Sequence, residues 1–151
     1  MKFETDFDAL CRDLSALTEG VPYVIANLAN TAALLWERME GLNWAGFYML
    51  TDGALVLGPF QGKTACIRIP LGRGVCGTAA EQGRTQLVEN VHDFPGHIAC
   101  DSASNSEIVV PLYKDGALWG GLDLDSPYVG RFTEADRQGL EKTAQRIQTF
   151  L

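Results

Sequence analysis

Cys100 stands in the stretch GHIACDSASNSE, a polar, Gly/Ser/Asn-rich run with almost nothing apolar to bury. Free cysteine is among the most buried residue types, and its reactivity more often than its packing decides why it is kept. Two further cysteines fall in loops or at element edges, Cys66 in KTACIRIP and Cys76 in GRGVCGTA. Cys76 lies in the first turn of an expected helix, where the helix dipole would lower its thiol pKa. Three acids belong to the same region. Glu107 opens a strand that continues as Ile108–Val110, and Asp123 and Asp125 close the strand expected to pair with it. In a hairpin turning at Lys114–Gly116, the start of the first strand faces the end of the second. Counted outwards from Asp115, Glu107 falls opposite Asp123, and Asp125 follows on the same face, since side chains alternate with a period of two. Clustered carboxylates raise one another's pKa and leave one able to hold a proton near neutral pH. That is what a general acid requires.

Other chemistries compete for these residues. A zinc site could use Cys66, Cys76 and Cys100 with His97 or His92, but structural zinc sites pair their ligands at C-x₂₋₄-C spacing, which this chain lacks. A Cys–His hydrolase could use His97 and Cys100, yet known dyads draw their partners from distant parts of the sequence. Each cysteine could also be a small buried hydrophobe, and for Cys11, on an amphipathic helix, that reading is favoured. Trp44, Tyr48 and Trp119 lie on expected strands, where core packing is the default; Trp44, at a strand start, is the best placed to line a pocket.

The elements that must position these groups follow from periodicity. A helix over residues 6–19 ends at Gly20, and a second, carrying Leu28, Ala32, Leu35, Trp36 and Met39 at helical spacing, stops at Gly41. WAGFYML, TDG and ALVLGPF make a β-hairpin signature. A Pro/Gly loop, a short helix over Val75–Gln82 and a short strand in TQLVENV come next. The second hairpin runs from Glu107 to Asp125. Thr133 with Asp136 forms a capping box, and Leu140, Ala144, Ile147 and Leu151 make the apolar stripe of a C-terminal helix. Tight-turn strands with helices at both chain ends predict an α+β fold: a central antiparallel sheet, terminal helices on one face and loops on the other. The 151 residues fit a single domain, and a 46% hydrophobic fraction can fill one core. A net charge of −7 argues against nucleic acid or an anionic membrane as partner. No signal peptide or membrane-spanning run is visible, so the expected place is cytoplasmic, where thiols stay reduced and disulfides are transient and catalytic.

NWAGFY, LVLGPFQGKTACIRIPLGRGVCGTAA, HIACDSASNSEIVVPL and LDLDSP…GRFTEADRQGL together resemble the free methionine-R-sulfoxide reductases, single-domain GAF proteins. The resemblance covers roughly Leu28 to Leu140, and the three-cysteine spacing is specific to that group. It implies one GAF domain over residues 1–151. It also implies reduction of the R epimer of free methionine sulfoxide to methionine. Cys100 matches the nucleophile, Cys66 the usual resolving partner, and Cys76 a third thiol able to form an alternative disulfide or assist recycling. Glu107 and Asp125 match the acids that bind or protonate substrate, with Asp123 beside them, and Trp44 part of the pocket for the methyl group; Tyr48 joins Trp44 and Asp123 as an expected substrate-binding residue. The implied chemistry is thiolate attack on sulfur, a sulfenic acid at Cys100, then a disulfide reopened by thioredoxin. It calls for no metal or organic cofactor. Members of the family often dimerise, so a homodimer is one expected state. The competing expectation is a GAF module that senses redox state or binds a small molecule without turnover.

Overall fold

The computed structural model describes residues 2–98 and 102–151; Cys100, the expected nucleophile, lies outside the described residues. Two helices open the chain, α1 (Phe7–Thr18) and α2 (Val24–Arg38). Strands β1 (Trp44–Thr51), β2 (Ala54–Gly62) and β3 (Arg68–Pro70) follow, then α3 (Gly74–Gln82) and β4 (Gln86–Val88). The hairpin β5 (Ser106–Lys114) and β6 (Ala117–Ser126) leads into α4 (Glu134–Gln148). The strands form one antiparallel sheet of order β3-β2-β1-β6-β5-β4, the α+β architecture expected. Strand β3 falls within what reads in the sequence as a Pro/Gly loop; three residues are too few to carry an alternation.

Local chemistry explains the joints. Both long hairpins turn on Asp-Gly pairs, Asp52-Gly53 and Asp115-Gly116, with positive φ at all four residues. That is the two-residue turn whose twist matches paired strands. Helix α1 is capped by Asp6, whose side chain accepts from the Ala9 amide at 3.0 Å. Helix α4 carries the expected capping box, Thr133 and Asp136 each bonding the other's backbone N–H. Asp136 also pairs with buried Arg131 at 3.1 Å.

The sheet divides two cores. On one face α1, α2 and α4 bury Leu10, Leu14, Leu28, Leu35, Leu140 and Ile147 against Phe47, Ile108, Leu122 and Leu124. On the other, α3 and the loops close over Trp44, Tyr48, Leu55, Val75, Cys76 and Val109. Neighbouring residues of one strand thus serve opposite cores: Ile108 and Val109 on β5, Phe47 and Tyr48 on β1. Trp119 packs on the helix-covered side, away from Trp44. Among the described residues no helix is long and apolar enough to cross a membrane.

Candidate active site

The loop-covered face holds a cavity of about 40 Å³. Its walls include Trp44, Tyr48, Cys76, Glu107, Asp123 and Asp125, six of the residues singled out from sequence. Register brings them together. Trp44 on β1 faces Asp125 on β6, which faces Glu107 on β5, which faces Val88 on β4. One row lower, Gly46, Asp123 and Val109 stand side by side. The acids converge as expected, but the pairing differs from the count made outwards from Asp115. Glu107 pairs with Asp125, not Asp123, because the turn centres between Asp115 and Gly116 and an irregularity between Leu112 and Tyr113 adds a residue to β6. A bulge of this kind leaves no composition signal.

The three carboxyl groups lie within hydrogen-bonding reach of one another. Burial pushes Glu107 well above the usual carboxylate range, and the neighbouring carboxyl groups of Asp123 and Asp125 push it further. Burial also raises Asp125 well above that range, followed by the charge on Asp123. Asp123 is raised by burial as well, but bonds accepted from Glu107, Cys76 and Asp125 pull it back down. The three titrate as one coupled set, in which Glu107 and Asp125 are pushed furthest toward the protonated form and Asp123 least. Ser104 supports Asp125 and accepts from Asn43 Nδ2 at 3.0 Å. Asp123 Oδ1 and Asp125 Oδ1 are enclosed and have no partner among the described residues.

Cys76 departs from its expectation. Its thiol is free and buried, and donates to Asp123 Oδ2 at 3.2 Å. Burial first, then the charges of Asp123 and Glu107, push this thiol well up, the reverse of the lowering expected from the helix dipole. A dipole contribution confined to the first turn cannot offset desolvation beside three acids. Cys66, by contrast, is disulfide-bonded. The zinc set of Cys66, Cys76 and Cys100 with a histidine thus lacks one of its thiolates. Cys76 Sγ, a Glu107 oxygen and an Asp123 oxygen do lie within 4.8 Å of one another. A metal held there would have to displace the Cys76 thiol proton and any proton on Glu107, since its ligands must be deprotonated.

The aromatic wall is layered. Trp44 stacks between Phe60 and Tyr48, with ring centroids 5.2 and 5.9 Å away, and its indole N–H donates to the Lys63 carbonyl at 3.1 Å. Tyr48 donates its hydroxyl to the Cys66 carbonyl at 2.8 Å, tying the segment of the oxidised cysteine to the sheet. Sequence reasoning passed over Thr64, Arg73, Ile98 and Ser104, which also line the cavity. It met His97 only as a dyad or zinc candidate; burial first, then His92, lowers the His97 pKa.

The GAF domain profile matches residues 7–150. The chain is 56% identical over 149 residues to a free methionine-R-sulfoxide reductase of Escherichia coli, covering 98% of this chain and 90% of that one. An fRMsr structure of Staphylococcus aureus in complex with substrate superposes with a TM-score of 0.95 at 45% identity, covering 100% and 99% of the two chains. A substrate-bound free methionine-R-sulfoxide reductase of Neisseria meningitidis superposes with a TM-score of 0.92 at 44% identity, covering 95% and 87%. The chain belongs to the GAF-domain family and, within it, to the group of the free methionine-R-sulfoxide reductases.

Proposed function

We propose that the chain reduces free methionine-R-sulfoxide to methionine by thiol chemistry, with Cys100 as nucleophile and Glu107 as proton donor. The observation that carries the reading is the buried acid triad: Glu107, Asp123 and Asp125 line one cavity, and burial pushes Glu107 toward its protonated form. A sulfoxide sulfur is a poor electrophile until its oxygen is protonated or hydrogen-bonded to an acid. Glu107 supplies that proton, and Asp123, with Asp125, holds the substrate ammonium. Trp44 and Tyr48 wall the pocket for the methylthio end.

The Cys100 thiolate attacks sulfur, the oxygen passes to the cysteine, and methionine leaves two electrons richer. The sulfenic acid at Cys100 then condenses with the Cys66 thiol, releasing water. The dithiol of thioredoxin reopens the disulfide by exchange and is itself oxidised. Disulfide bonding at Cys66, with Cys76 free, supports Cys66 as the resolving thiol. Such a cycle runs in a thiol-reducing compartment, consistent with a cytoplasmic site, and uses no metal or organic cofactor. The test is turnover of the separate epimers of free methionine sulfoxide with a dithiol reductant. The expected result is loss of the R epimer alone, abolished by Cys100→Ser. Consumption of neither epimer would refute the proposal.

A further inference from the structure

Cys76 occupies the first turn of α3, and two glycines fix its placement. Gly74 has φ +63°, a left-handed conformation that L side chains rarely adopt. Gly77 lies so close to the β3 turn that a Cβ there would sit 2.5 Å from the Pro70 carbonyl oxygen. The helix start therefore presses against β3, and the thiol comes to rest on Asp123, 47 residues away in sequence.

We propose that Cys76 is a positioning residue. It is a fixed hydrogen-bond donor that holds Asp123 Oδ2, leaves Oδ1 for the substrate, and takes no part in electron transfer. The proposal rests on the reductase reading and differs from the recycling role that the family resemblance gives this thiol. Three features of the site support it. The Cys76 side chain is only 5% exposed and its hydrogen bond goes to a carboxylate. The other oxygen of that carboxylate is buried and has no partner among the described residues. The acids around the thiol oppose the thiolate, the form that disulfide exchange needs. Among the described residues Cys76 has the surroundings of a donor and Cys66 is the cysteine already oxidised.

The experiment compares Cys76→Ala, which removes the donor, with Cys76→Ser, which replaces S–H by O–H. Single-turnover reduction without recycling should fall roughly tenfold in Cys76→Ala, the scale of a hydrogen bond to a charged group. Cys76→Ser should restore most of that loss. A donor to the ionised carboxylate lowers its pKa, so removing it should move the acid limb of kcat/KM to higher pH in the alanine variant and not in the serine variant. Single-turnover rates unchanged in both variants, with recycling lost equally in both, would overturn the proposal. A measurement on the unmodified chain tests the same point without substitution. After one equivalent of substrate, denaturation and alkylation should find Cys76 as a thiol, and Cys76 in a disulfide would overturn the proposal. Absence of any turnover by the unmodified chain would overturn the reductase reading with it, whereas the other adverse results leave that reading standing.

Discussion

Replacing Glu107 by Gln should make the protein more stable and nearly inactive, because the site stores a cost that catalysis needs. Glu107 is 8% exposed, and the folded state raises its pKa well above the ordinary 4.5. A group whose folded pKa is raised binds more protons folded than unfolded across the window between the two values. Stability therefore falls as pH rises from the unfolded value to the folded one. Each unit of elevation costs about 1.4 kcal/mol once pH exceeds the folded value. In a domain of this size, about 1.4 kcal/mol corresponds to roughly 3–6 °C in Tm. Gln keeps the shape and offers N–H donors towards Asp123 and Asp125 in place of the carboxyl O–H, but cannot ionise. Thermal unfolding of the two proteins at pH 4, 6 and 8 reads the difference. Glu107→Gln should unfold several degrees higher at pH 8 and match the unmodified chain near pH 4. Its single-turnover rate should fall by about 10²–10⁴, the usual contribution of a general acid. A Tm difference that does not grow with pH would refute the reasoning, whatever the activity.

Two other substitutions test the supports of the site. Tyr48→Phe removes the donor to the Cys66 carbonyl at 2.8 Å and should cost about 1 kcal/mol of stability, read as a lower denaturant midpoint. It should also slow dithiol-dependent recycling, by loosening the segment that carries Cys66, the resolving thiol of the proposed cycle. Gly74→Ala forces a side chain into φ +63° with its Cβ 3.3 Å from Ile98 Cγ1, and should cost about 1–2 kcal/mol. A thermal scan of that variant should show Tm lower by several degrees.

The sheet was legible because its signals are local. Asp-Gly turns, alternating strands and the Thr133–Asp136 box each lie within a few residues, and each stands where its signal puts it. The gathering of Glu107, Asp123 and Asp125 was legible too, since strand period and turn position nearly determine it. Their pairing was not. The irregularity next to Tyr113 shifts one strand against the other, and it depends on packing across the sheet rather than on residue type. The surroundings of Cys76 were equally hidden. Its helix was visible in sequence, but the carboxylate it bonds comes from a strand that only the tertiary fold brings near. The expected lowering of its thiol pKa was sound for an isolated helix end and failed because the neighbourhood is acidic and dry. Ser104, Arg73 and Thr64 carry no spacing signal and join the cavity only through loop closure.

The alternation along β5 and β6 has a consequence for how such a site can change. Glu107, Val109, Asp123 and Asp125 carry odd numbers and lie on the cavity side of the sheet; Ile108, Val110, Leu122 and Leu124 carry even numbers and face the helices. Cavity wall and scaffold are thus written in interleaved letters of the same strands. A point substitution edits one text and leaves the other readable. A single-residue deletion inside either strand would exchange them, sending a carboxylate under the helices and a leucine into the pocket. Variation in this fold should therefore come by replacement along the strands, and changes of length should be confined to the loops that roof the cavity.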